Sequence, residues 1–185
     1  MIITHHREKL INAIIYFAKH TKYCGKTKLL KLLYFLDFCH FKQMGKSVTG
    51  LEYFTWEKGP VPKDLFEEIP DNMKSDLKDS INIVLSESLQ KIVPRKKFND
   101  EYFTNRENKL LETISFIFGD TKADDMVEVT HLKNEPWHRT LKEKGLWQKI
   151  DYLLSIDDAE DSLTYNEAKE RMEEISEMYQ IFGTI

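Results

Sequence analysis

Apolar residues along this chain recur mostly at helical spacing. Between Glu8 and Thr21, Leu10, Ile14, Phe17 and Ala18 fall on one stripe with Ile11 and Ile15 beside it, which predicts an amphipathic helix, and Gly25 breaks it. Thr27 is placed to cap a second helix that runs to about Met44 and is closed by Gly45. From Lys28 to Lys42 this helix is apolar nearly all round, the pattern of an element surrounded by core on every side, so it is expected to organise the fold.

The pattern then changes period. Leu51-Glu-Tyr-Phe-Thr-Trp-Glu57 is aromatic and Thr-rich over strand length, and Gly59-Pro-Val-Pro62 is expected to stop it as a turn. That turn reads either as a rigid loop offered to a partner or as a simple strand terminator. A helix over Lys63 to Glu68 and a polar stretch follow. Ile81 to Leu85 and Leu89 to Val93, separated by Ser86-Glu-Ser88, then predict a hairpin that could add to the first strand as one small antiparallel sheet.

Helical spacing returns at Asn105, with Leu110, Leu111, Ile114, Phe116, Ile117 and Phe118 as expected buried positions and Gly119 as the stop. Thr121 and Asp124 resemble a capping box opening a short helix that carries Met126, Val127 and Val129 to His131. Asn134 is the expected cap of the next helix, with Pro136 in its first turn, Trp137 and Leu141 inward, and Gly145 at its end. Thr164 and Glu167 form a full capping box, behind which Tyr165, Ala168, Met172, Ile175, Tyr179 and Phe182 make a seam that packs on the domain or meets a partner helix. The expected class is mainly α (α+β): a compact helical domain around a central apolar helix, with a small antiparallel sheet or hairpin. Residues 1–155 read as one unit and 156–185 as an acidic amphipathic helix packed on the same domain.

Composition narrows the classes. A chain of 185 residues, 41% hydrophobic and 31% charged, with only seven glycines and five prolines, suits one globular domain and argues against disorder, a membrane protein or a turn-rich sandwich. The net charge of −4 disfavours nucleic acid as a partner. From Ile156 onward nine acidic residues face two basic ones, a local charge of −7, so the acidity is concentrated at the C-terminal end and would attract a basic protein. Two cysteines, Cys24 and Cys39, make no disulfide framework, and histidines at 5 and 6 stand where a secretory apolar core would begin, so a cytoplasmic protein is expected.

Catalytic chemistry finds little support. The chain has no glycine-rich phosphate loop, no nucleophile elbow and no H-E-x-x-H, so neither cofactor nor metal is expected. Cys39 precedes His40, but neighbours on a helix point about 100° apart and cannot pair. Asp37 lies within an apolar helix and, if buried, needs a partner such as Lys or His. An enzyme reading would need Asp37, His40 and His131 to converge in one cleft. Trp137 is expected in the core, whereas Trp56 and Trp147, if exposed, would be strong contact residues for a partner.

Two blocks of the sequence resemble a known family. Lys28-Leu-Leu-Lys-Leu-Leu-Tyr-Phe-Leu-Asp37, then Gly50 to Trp56, then Gly59-Pro-Val-Pro62, are similar to the K-L-x-K-L-L-Y-F-x-D, G-x-x-Y-x-x-W and G-P-V-P signature of the Panacea domain, the SocA-like antitoxin family once labelled phage-associated. Val129-Thr-His131 followed by Pro136-Trp137 resembles that family's later T-H and P-W motif. The matching positions are Lys31, Tyr34, Phe35, Asp37, Trp56, Gly59, Pro60, Pro62, Thr130, His131, Pro136 and Trp137, expected to keep the fold or to bind a partner. The resemblance implies a non-enzymatic antitoxin of a toxin–antitoxin system. Its partner would be a cognate toxin protein encoded by an adjacent gene, neutralised by direct binding or, alternatively, delivered to an ATP-dependent protease.

Overall fold

The long apolar helix stands in the middle of the molecule. In the computed structural model, which describes residues 4–86, 89–131 and 135–183, α1 spans His6–His20 and α2 spans Lys26–Met44. Then come β1 (Tyr53–Trp56), β2 (Gly59–Pro62), α3 (Lys63–Glu68), α4 (Ser75–Ser80), β3 (Ile81–Ser86) and β4 (Leu89–Pro94). α5 (Asn105–Phe118), α6 (Ala123–Thr130), α7 (Pro136–Lys144), a 3-10 turn (Tyr152–Ser155) and α8 (Tyr165–Phe182) complete the order. The fold is mainly α, of the α+β kind. α2 touches α1, α5, α6, α8, β2, β4 and the 3-10 turn, which is why a helix without a polar face is stable there.

The start of α2 differs from expectation. Gly25 occupies the N-cap position in extended conformation, and Thr27 sits in the first turn as an exposed residue without a capping role. Gly45 closes the helix in the left-handed region at φ 71°, its amide donating to the Phe41 carbonyl.

Gly59-Pro-Val-Pro62 is itself a strand rather than a turn. It pairs antiparallel with β1 in the register Tyr53↔Pro62, Phe54↔Val61, Thr55↔Pro60 and Trp56↔Gly59. The prolines are tolerated because Tyr53 and Thr55, opposite them, direct their backbone groups to the other side. There the Ile150 amide donates to the Tyr53 carbonyl, the Trp147 amide to the Thr55 carbonyl, and the Thr55 amide to the Gln148 carbonyl. Segment 147–150 thus takes the edge that β3 was expected to fill. β3 and β4 form a separate two-stranded sheet, tied instead to the loop before α2 through the Ile92 amide and the Cys24 carbonyl. Of the predicted turn between them, residues 87 and 88 lie outside the described residues.

Other boundaries shift for local reasons. The polar stretch after α3 contains α4, a six-residue helix whose one large apolar side chain, Leu77, is buried; one apolar position shows no periodicity. On α5, Leu111 and Ile114 are buried and Leu110 and Phe118 half-buried, but Phe116 is 90% exposed and Ile117 is exposed too. At 3.6 residues per turn, positions 111, 114, 115 and 118 share one face and 116–117 fall opposite. α6 begins at Ala123, one residue too late for Thr121 to cap it. The N-cap position of α7 is Glu135, with Pro136 at N1; Asn134, the predicted cap, lies outside the described residues. The capping box of α8 forms as predicted, Thr164 accepting from the Glu167 amide while Glu167 accepts from the Thr164 amide.

Candidate functional site

The motif residues collect along one side of α2, in two groups. In the first, Lys31 projects toward the β1–β2 hairpin and donates to the Lys58 carbonyl at 3.0 Å and to Thr130 Oγ1 at 3.4 Å. Gly59 is required here on two counts: its φ is 116°, and a Cβ would lie 2.7 Å from Lys31 Nζ and 3.2 Å from Thr130 Oγ1. His131 follows directly and stacks on Trp137 with ring centroids 3.9 Å apart and planes within 6°. Trp137 is buried, and its Nε1 donates to the Trp56 carbonyl at 3.1 Å, so α6, α7 and the hairpin are joined through this one side chain. Pro136, at N1 of α7, and Pro60 and Pro62, on β2, are buried as well.

The second group surrounds Asp37. The carboxylate is fully buried and accepts from the Val48 amide (2.8 Å), the Thr49 amide (2.8 Å), the Thr49 hydroxyl and the Tyr53 hydroxyl (2.8 Å). The expected Lys or His partner is therefore replaced by two backbone N–H groups and two hydroxyls, all from the 48–53 segment. Burial pushes Asp37 up to about 6, while the Thr49, Tyr53 and Val48 hydrogen bonds pull the other way. Tyr34, also buried, packs against Phe38 (4.3 Å) and Tyr53 (5.5 Å), and Phe35 stacks on Phe118 at 4.8 Å.

Electrostatically the first group is a cation held against neutral oxygens. Lys31 is only 2% exposed, and burial lowers its ammonium to about 8. His131 is lowered by burial, then by the charges of Lys31 and His138, which favours a neutral imidazole beside the lysine.

Asp37, His40 and His131 have separate partners. His40 Nδ1 donates to the Lys46 carbonyl at 2.7 Å, and its Nε2 is 3.9 Å from Glu107; neither group touches the Asp37 cage or the His131–Trp137 stack. Burial pushes the Cys39 thiol up to about 11, away from the thiolate. Among the described residues, no three His, Cys, Asp or Glu side chains are placed to hold a metal ion. None of the described helices is long and apolar enough to cross a membrane.

Three structural roles escaped the sequence reading. Lys28 is buried and donates to the carbonyls of Lys22, Gly119 and Thr121, closing the end of α5 against α2. Glu107 is buried, pairs with Lys9 at 2.6 Å and completes a capping box with Thr104; the spacing Thr104-x-x-Glu107 was a readable signal. Thr49 carried no signal, and Tyr53 stood in the G-x-x-Y-x-x-W match without its bond to Asp37 being readable, because both roles depend on where the loop after Gly45 returns to α2.

The segment that contributes both groups, residues 29–138, matches the family model described as Antitoxin SocA-like, Panacea domain, and the chain belongs to that family. No curated protein and no solved structure matches the chain. The signature residues on α2, β1 and β2 and the later pair around His131 and Trp137 all lie within the matched segment, whereas α8 lies beyond it.

Proposed function

We propose that this protein is an antitoxin that silences a cognate protein toxin by direct contact in the cytoplasm, the toxin being encoded by a neighbouring gene. Residues 1–155 act as the scaffold, and residues 156–185 contribute the contact that is particular to this chain. The observation that carries this reading is the state of α8. Among its described residues only Ala168 is fully buried, in a small cluster with Phe41 and Leu153, while Tyr165, Met178, Ile181 and Phe182 are exposed. Exposed aromatic and aliphatic side chains on a strongly acidic segment suit a basic protein partner, whose approach the charge would steer and whose apolar residues the helix end would cover. Most signature side chains, by contrast, are buried within the domain, Asp37 and Trp137 among them.

Co-expression with the neighbouring gene product tests the proposal. Expected is a product that arrests growth alone and is harmless beside this protein, with a stable complex when the two purified chains are mixed without any protease. A harmless product, or toxicity that persists, removes the antitoxin reading. Rescue that disappears in a strain lacking its ATP-dependent proteases replaces direct silencing by toxin delivery.

A further inference from the structure

Between α2 and the β1–β2 hairpin lies a cavity of about 350 Å³, with Lys31, Trp56, Glu57, Lys58, Phe66 and Trp147 in its lining. That volume falls within the range of small-molecule sites, roughly 300 to 1,000 Å³, and such sites pair apolar walls with a few polar groups. Three features distinguish this one from a packing defect.

The first is its aromatic corner. The Trp56 ring lies 4.6 Å from Phe66 at 58° and 5.0 Å from Trp147 at 60°. Rings set at such angles form a corner rather than a closed stack, which suits a further planar group. The second is the backbone of Trp147. This residue is 60% exposed yet holds φ at 65°, a left-handed conformation costly for a non-glycine residue. Core packing does not compensate it. Its position is set instead by pairing with β1, its amide donating to the Thr55 carbonyl at 2.6 Å and the next amide, Gln148, to Thr55 Oγ1 at 3.0 Å. Strain of this kind gathers at ligand clamps.

The third feature is charge. Lys31 bonds only to the neutral oxygens of Lys58 and Thr130, and no carboxylate pairs with it among the described residues. Lys58 shares the lining, and Lys26 Nζ sits 3.5 Å above the Phe66 ring. Against these three cations stand Glu57 in the lining and Asp71, which acts on Lys26 from outside it. Lys28, equally buried, donates to three carbonyls, whereas among the described residues Lys31 has two acceptors, one of them at 3.4 Å, so its ammonium has a hydrogen left to give.

We propose that this cavity is a binding site for a small planar apolar anion, an aromatic carboxylate of one or two rings, with the ring in the Trp56–Phe66–Trp147 corner and the carboxylate toward Lys31 and Lys58. Lys31, Trp56, Glu57, Lys58 and Phe66 lie within the matched segment and Trp147 beyond it, and the site is independent of whether the chain silences a toxin.

Calorimetric titration of the full chain with 2-naphthoate, and with the neutral 2-naphthamide as control, tests it. Saturable binding of naphthoate is expected, with naphthamide at least about tenfold weaker, a difference of about 1.4 kcal/mol. Trp147→Ala, an exposed position, should lose about tenfold or more for naphthoate while circular dichroism and the melting curve stay as in the parent. Lys58→Gln should narrow the gap between naphthoate and naphthamide. No saturable binding up to millimolar naphthoate, or unchanged affinity in Trp147→Ala, overturns the site; equal affinity for the acid and the amide overturns its preference for an anion.

Discussion

Asp37 is a buried charge kept without a countercharge. Four donors from a single short segment replace the ion pair that a carboxylate inside an apolar helix would otherwise need. Because a buried donor left without an acceptor costs about 1–3 kcal/mol, Asp37→Ala should destabilise by about 3 kcal/mol or more, whereas Tyr53→Phe, which removes one donor, should cost about 1 kcal/mol. Asp37→Asn falls between them, since the hydroxyls of Thr49 and Tyr53 can turn to accept from the new amide. Urea unfolding at neutral pH orders the three variants; a Tyr53→Phe loss equal to that of Asp37→Ala would show that the cage is not what Asp37 supplies. The need for a partner was legible in the sequence, because Asp37 interrupts a run of apolar residues. The partner was not, because backbone amides at 48 and 49 become donors only once Gly45 has turned the chain back along α2.

Elements are joined by similarly specific contacts, and one of them titrates. Arg7 on α1 donates to both oxygens of Glu68 on α3 (2.9 and 2.6 Å) and to both oxygens of Asp76 on α4 (2.7 Å each). The Arg7 hydrogen bonds hold Asp76 at about 2, below its ordinary 3.8. The folded state therefore binds this proton less readily than the unfolded chain does. The clamp's contribution is present above about pH 4 and lost as the pH falls toward 2. Urea midpoints measured across that window should fall for the parent chain and fall less steeply for Asp76→Asn; identical slopes would remove Asp76 from the account. The β1–β2 hairpin makes a second element-scale case. Gly59→Ala must adopt a φ of 116° and press on Lys31, so a loss of about 1–3 kcal/mol is expected in thermal unfolding. Helix existence here was legible from seam and capping box at α8, and from the apolar run and the closing Gly45 at α2, whose start Thr27 does not cap. The pairing of Gly59-Pro-Val-Pro62 was not, since prolines discourage a strand unless the opposite residues bond elsewhere, and that depends on segment 147–150, some ninety residues away.

For the whole molecule, the charge distribution and the packing of α8 bear on the same question. Nine acidic residues against two basic ones after residue 155 were countable in the sequence, and so was the capping box that starts the helix. How far the seam would be covered was not, because spacing gives the face of a helix and not the surface it meets. In the structure the seam meets the domain just after its exposed first residue, Tyr165: the Leu163 amide donates to the Lys42 carbonyl, Lys42 pairs with Asp157 at 2.7 Å, Ala168 is buried and Met172 packs beside it. Farther along, Met178, Ile181 and Phe182 are exposed. Removing residues 164–185 should then leave a cooperatively folding remainder with a modestly lower melting temperature, because α2, its neighbours and both sheets keep their contacts. The same truncation should abolish the proposed complex with a cognate toxin. In the full chain, raising salt from about 0.05 to about 0.5 M should weaken that complex, since the Debye length shortens severalfold and screens an exposed acidic face. Gel filtration of truncated and full-length chains with the purified toxin at both salt concentrations separates the outcomes. An intact complex with the truncated chain would move the contact onto the family domain, and a salt-insensitive complex would leave the acidic face without a part in it.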